Sequence, residues 1–231
     1  MSNRFGKWIR TLGEHRADRA PGVAVEDPGR LAAEVVRLYT AGRYKDAADT
    51  ARRLVEHQRQ ALGEQHPDFA TALSNLGLLL QKQGDLAGAE SHLRQAVDVR
   101  RATQGERHPQ YAACLVQLAE VLQLRGDLAA AEPLLRVALG VLGEVVGERH
   151  ADYATAQTSL GLLMHRRGEL EQALPLLMQA LETRRAVLGE RHPQYGTALS
   201  NLALLRQKRG ELDEAERLFR EGAGGPQAGA G

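Results

Sequence analysis

The chain has 231 residues, a formal net charge of +1, 43% hydrophobic and 26% charged residues, and only 4% aromatic residues. So small a charge excludes a global field that would recruit nucleic acid or an anionic membrane, and the scarcity of aromatics argues against a β-sandwich. No run of about 18 apolar residues exists to cross a membrane, and the single cysteine, Cys114, rules out an intramolecular disulfide and fits a reducing, cytoplasmic setting.

The first residues, MSNRFGKWIRTLGEHR, lack the continuous apolar stretch of a secretory signal. Phe5, Trp8, Ile9 and Leu12 fall at i, i+3, i+4 and i+7, with Arg4, Lys7 and Arg10 elsewhere, which is the pattern of a short amphipathic helix. So short a helix has little stability alone. Three roles stay open for it: docking a partner protein, folding back to cap the rest of the chain, or touching a membrane surface.

Beyond it the chain is periodic. Gly63-Glu64-Gln65-His66-Pro67 returns as Gly105-Glu106-Arg107-His108-Pro109, as Gly147-Glu148-Arg149-His150-Ala151 and as Gly189-Glu190-Arg191-His192-Pro193, each copy 42 residues after the last. A fixed period of this size predicts stacked supersecondary units, because one unit cannot bury its apolar face alone. A degenerate first copy covers residues 30–62: Asp27-Pro28-Gly29 leads into it, and Gly42 and Ala47 stand 42 residues before Gly84 and Ala89.

In the first full unit Leu73, Leu76, Leu79 and Leu80 define a helix that Gly84 ends, since glycine accepts the left-handed conformation after a helix. Asp85 is the expected N-cap of a second helix carrying Leu86, Ala89, Leu93, Ala96 and Val97 on one stripe. The stop recurs as Gly126, Gly168 and Gly210, and the acidic cap as Asp127, Glu169 and Glu211. Pro67, Pro109 and Pro193 sit in first turns, where proline is tolerated. Small residues recur at Gly77, Ala119, Gly161 and Ala203 and again at Ala89, Ala131, Ala173 and Ala215, as close helix crossings require. The last second helix, from Leu212, is expected to reach only Glu221. Gly222-Ala223-Gly224-Gly225-Pro226 then opens a tail that the sequence does not favour as helix, leaving Leu218 and Phe219 on an uncapped edge open to a partner or to self-association. The expected organisation is an N-terminal segment 1–29, an array of about five helical pairs over 30–221, and a tail 222–231.

The residues Leu73-Ser74-Asn75-Leu76-Gly77, Gly84, Ala89-Glu90 and Gly105 to Pro109, with Leu199-Ser200-Asn201-Leu202-Ala203, Gly210, Ala215-Glu216 and Gly189 to Pro193, resemble the tetratricopeptide repeat. The common unit of that family is about 34 residues long. This chain is similar to the longer 42-residue variety of kinesin light chains, although the heptad segment that holds a kinesin heavy chain does not occur in this sequence. The resemblance implies an all-α, right-handed superhelical solenoid acting as a protein-interaction adaptor or as a docking subunit of a larger assembly.

In that family the first helix of each pair lines the concave wall. By position, the resemblance picks out Thr71, Asn75, Leu78 and Lys82, then Gln117, Glu120 and Gln123, then Thr155, Ser159, Leu162 and Arg166, then Thr197, Asn201, Leu204 and Lys208. Amides and hydroxyls at one height suit the backbone of a bound peptide. Lys82, Arg125, Arg166 and Lys208 would add a basic rim attractive to an acidic segment, or serve only the helix dipole. His165 falls on the same face near a helix end. The family's carboxylate clamp is incomplete, because Gln117, Thr155 and Ser159 stand where it would need cations.

Nothing in the sequence points to catalysis, a cofactor or a metal. For Cys114 the sequence indicates no electropositive helix start or activating base, and no phosphate loop or nucleophile elbow occurs. The loop histidines His66, His108, His150 and His192 are expected to be spaced by at least about 8–10 Å in stacked helices, too far to share an ion whose ligands sit at about 2 Å. Their expected task is to cap the helices they precede. Neither basic excess nor stacking aromatics favours RNA binding.

Overall fold

The computed structural model describes residues 27–223. Among them every regular element is a helix, and the chain divides into two compact units, one ending at Gly105 and one beginning at Glu106. The first unit holds α1 (Pro28–Thr40), α2 (Tyr44–Leu62), α3 (Pro67–Gln83) and α4 (Leu86–Gln104), each packed on the next. The second holds α5 (Pro109–Arg125), α6 (Leu128–Val145), α7 (Ala151–Arg167), α8 (Leu170–Leu188), α9 (Pro193–Lys208) and α10 (Leu212–Ala223). There too each helix packs on the next, and the first helices α5, α7 and α9 also touch in sequence. The last helix runs through Gly222 to Ala223, two residues beyond the expected Glu221.

Local chemistry fixes the helix ends. Before α3, α5, α7 and α9, the Nδ1 atoms of His66, His108, His150 and His192 each accept the backbone N–H two residues on, at 3.1 Å. That satisfies one of the four orphan donors of a first turn. Asp27 does the same for α1, accepting from Gly29 at 3.0 Å. Asp85 and Asp127 cap α4 and α6, accepting from Gly88 at 2.9 Å and Ala130 at 3.0 Å. Glu169 departs from the expected acidic cap: its longer side chain makes no capping bond and pairs with Arg167 at 2.8 Å. Glu211 bonds Arg209 at 2.6 Å and also Arg206. The stop glycines Gly84, Gly126 and Gly168 are left-handed, with φ of 85°, 88° and 81°.

The core of each unit is made where helices cross on small residues. Ala89, Ala131 and Ala173 are fully buried. A Cβ placed on Gly77 would lie 2.7 Å from Leu93 Cγ, and one on Gly161 would lie 2.8 Å from Leu177 Cδ2. Two prolines run against the local rule that proline ends a helix: Pro133 and Pro175 lie inside α6 and α8. Both are exposed. The Ala131–Leu135–Ala138–Leu142 and Ala173–Leu177–Ala180–Leu181 faces stay buried through them.

Candidate functional site

The first-helix wall is best defined in the second unit, where α5, α7 and α9 are joined by side chains that cross from one to the next. Ser159 Oγ donates to Glu120 Oε1 at 3.0 Å, and Gln123 Nε2 donates to the Ser159 carbonyl at 3.3 Å. Arg166 donates to the Gln123 carbonyl at 3.1 Å, and Lys208 donates to the His165 carbonyl at 3.0 Å. The repeat register explains the last two: each cation reaches 43 residues back, to a carbonyl in the closing turn of the preceding first helix. There a positive charge meets the negative end of the helix dipole.

These contacts redraw the sequence-based wall. Gln123 and Ser159, expected to face a ligand, are each only 6% exposed and knit α5 to α7. Arg125 is one residue out of register with Lys82, Arg166 and Lys208. The residue in register is Leu124, which is 48% exposed. In the second unit this column thus carries one leucine and then two cations, with Leu204, one turn before Lys208, also 46% exposed. Glu120, Gln117, Leu162, Thr155 and Asn201 are half-buried on the same helices, and Thr197, Arg166 and Lys208 are exposed. Thr155 and Thr197 turn their hydroxyls to carbonyls of their own helices, at 2.9 Å and 3.1 Å.

His165 sits among these groups half-buried, with its Nε2 buried and without a partner among the described residues. Burial first, then the charges of Lys208 and Arg166, hold its pKa below the usual imidazole value. The ring is therefore kept neutral on a cationic stretch of wall.

In the first unit, Thr71, Asn75 and Leu78 are half-buried on α3 and Lys82 is exposed. Asn75 Nδ2 is buried with no hydrogen-bond partner among the described residues, a donor that a bound carbonyl could satisfy. Thr71 is already engaged, because its hydroxyl accepts from Arg100 of α4.

At the far edge of the second unit α10 packs chiefly on α9 among the described residues. Its buried face is Ala215 and Leu218, so Leu218, at 4% exposed, belongs to the core rather than to an open edge. Leu212 and Phe219 remain open, at 63% and 37%. Phe219 stands in the register of Leu135 and Leu177, which are 0% and 2% exposed. Phe5, Trp8, Ile9 and Leu12 lie outside the described residues.

Two features escaped the sequence reading. Arg100 and Arg184 are buried, at 5% and 6% exposed, and Arg184 Nη1 donates to Thr158 Oγ1 at 2.7 Å. The signal was present in the register column Gln58, Arg100, Leu142, Arg184, where a long polar residue interrupts an apolar stripe. Each loop histidine's Nδ1 is occupied by a cap, and among the described residues no group of three or more His, Cys, Asp or Glu is placed to hold a metal ion. Among the described residues no helix is long and apolar enough to cross a membrane.

No curated protein sequence matches the chain. Among solved structures it is similar to the kinesin-light-chain TPR-like repeats of Podosopora anserina, with 23% identity, 88% of this chain and 100% of that one covered, and a TM-score of 0.69. It is also similar to BtubC (BKLC) of P. vanneervenii, with 19% identity, 95% and 89% covered, and a TM-score of 0.70. The Rap conjugation gene regulator of plasmid pLS20, solved in complex with the Phr* peptide, matches at 15% identity with a TM-score of 0.69, over 95% of this chain and 61% of that one. At these identities the likeness is one of fold. The tetratricopeptide repeat profile matches residues 37–102, 68–144 and 152–223. With most of its length so matched, and with a 42-residue kinesin-light-chain-like period, the chain belongs to the tetratricopeptide repeat family.

Proposed function

We propose that the chain is a non-catalytic adaptor that holds a peptide or protein segment against its first-helix walls. The observation that carries this reading is that α5, α7 and α9 carry both half-exposed leucines, Leu124 and Leu204, and exposed cations, Arg166 and Lys208. Such a surface offers apolar anchoring beside charge and suits an acidic amphipathic segment. Asn201 in the second unit and Asn75 in the first supply amides for a ligand's backbone. Residues 30–221 form the binding array in this reading, flanked by the segment 1–29 and the tail 222–231, and the working compartment is the cytoplasm. Mass spectrometry of the native complex would identify the ligand. Asn75→Ala plus Asn201→Ala should then weaken it at least tenfold. Unchanged affinity moves the site off the first helices.

A second reading, a structural subunit of a larger assembly, is favoured by Leu212 and Phe219 on the open face of α10. It uses that edge or the Trp8 segment to dock, including self-association. Light scattering on Phe219→Asp separates the two: loss of a concentration-dependent oligomer with ligand affinity intact supports assembly.

A further inference from the structure

On the first-helix wall of the second unit one register column runs Gln123, His165, Gln207. Gln123 ties α5 to α7 by donating to the Ser159 carbonyl at 3.3 Å. His165 makes no such tie to α9, because its Nε2 is buried and without a partner among the described residues. Two cations cross the wall at this height instead. Lys208 Nζ reaches the His165 carbonyl at 3.0 Å, and Arg166 reaches the Gln123 carbonyl at 3.1 Å. Both are exposed. Each keeps N–H groups beyond the one spent on a carbonyl, since an ammonium has three donors and a guanidinium five.

The charges around the imidazole are of one sign. Helices α5, α6, α8 and α9 all pack on α7. Lys208 of α9 and Arg166 of α7 are the charged groups that act on the ring, and both disfavour its protonated form. Glu120 of α5 is turned to Ser159, from which it accepts at 3.0 Å. In the imidazolium both ring nitrogens carry a proton, so the buried Nε2–H would stand beside two cations with no acceptor. The half-buried ring is therefore a proton site that lacks its counter-charge. A carboxylate laid across Arg166 and Lys208 supplies that counter-charge and reverses the sign of the field at the ring.

We propose that Arg166, Lys208 and His165 form a subsite for an acidic side chain of the bound segment, and that the segment is taken up together with a proton held on His165. The proposal rests on the first-helix wall being the binding surface. It adds where on that wall an acid group sits, at the junction of α7 and α9, and what regulates its hold. The sign follows from linkage. The free ring is kept neutral, with its pKa below the ordinary imidazole value, by burial first and then by Lys208 and Arg166. The bound carboxylate raises that pKa, so affinity grows as pH falls from about 7.5 to about 5.5. Aspartate on the segment, with an ordinary pKa of about 3.9, stays charged over that range.

The test uses the full chain and a rhodamine-labelled acidic peptide, Leu-Asp-Ser-Leu-Asp-Asp-Leu-Ser-Asp-Leu, followed by fluorescence anisotropy. Its affinity should rise about fivefold or more as pH falls from about 7.5 to about 5.5. In histidine-selective NMR the His165 ring should titrate at higher pH with the peptide bound than without it. His165→Gln, which installs the residue found in register at Gln123 and Gln207, should remove the rise in affinity. Saturable binding of equal affinity at both pH values in the unaltered chain overturns the proton-linked subsite and leaves the wall standing. No saturable binding into the millimolar range at either pH overturns both. A rise that persists in His165→Gln puts the proton on another group and overturns the assignment.

Discussion

The buried Arg184–Thr158 pair allows a quantitative test of the packing argument. Both residues are nearly inaccessible, at 6% and 8% exposed, and the bond is 2.7 Å long. Thr158→Val removes the acceptor while the guanidinium stays buried. Hydrogen bonds to charged groups are worth about 1.5–3 kcal/mol, so a loss of about 2 kcal/mol is expected. Arg184→Leu leaves the threonine hydroxyl its bond to the Ala154 carbonyl at 2.8 Å and places a residue that already fits the same register at Leu142. Its cost should be about 1 kcal/mol. The double variant recreates the Val116/Leu142 pair and should lie within about 1 kcal/mol of the parent, because replacing both partners by well-packed apolar groups is often close to neutral. The coupling is then about 2 kcal/mol. For a chain of this size, Thr158→Val should lower Tm by about 4–8 °C, and Arg184→Leu added to it should restore most of that. Thermal and urea unfolding followed by circular dichroism give the four corners of the cycle. Additivity within about 0.5 kcal/mol would refute the view that hydroxyl and arginine are a matched pair.

Loss of a histidine cap in His150→Ala should cost about 1 kcal/mol, and His150→Asn should recover most of it, since asparagine is a strong cap; urea midpoints check both. Gly161→Ala gains about 1 kcal/mol of helix propensity. It also drives a Cβ to 2.8 Å from Leu177, an overpacking cost of about 1–3 kcal/mol, so a net loss should appear in the same assay. His165 has a folded pKa below its unfolded value. Neutral His165 therefore stabilises the fold above the unfolded imidazole pKa of about 6.5, and that contribution falls away as pH drops towards the folded pKa. His165→Gln, the residue in register at Gln123 and Gln207, should flatten that part of the stability–pH curve. Tyr195 has its pKa pushed up to about 12, by burial first and then by its bond to Glu221. Its contribution is whole below about pH 10 and declines as pH rises towards 12; absorbance titration should show a late phenol phase that Glu221→Gln brings down.

The sequence by itself determined the repeat, the helix ends and the small-residue crossings. A 42-residue period, a capping histidine before α3, α5, α7 and α9 and a positive-φ glycine after each of them are local or periodic facts, and periodicity survives without knowledge of neighbours. Register columns also placed Asn75, Gln117, Ser159 and Asn201 at one height. Only the tertiary structure decided which of them are open. Ser159 is sealed by Glu120 and Gln123 of α5, while Asn75 keeps a buried amide donor without a partner. Likewise Leu218 and Phe219 are equal in the sequence, but among the described residues α10 packs chiefly on α9, so one is buried and the other exposed. Pro133 and Pro175 read locally as helix breaks and are overruled by the buried faces of α6 and α8. The division has one cause: caps and turns depend on residues a few positions apart, whereas exposure depends on side chains that arrive from helices about 40 residues away.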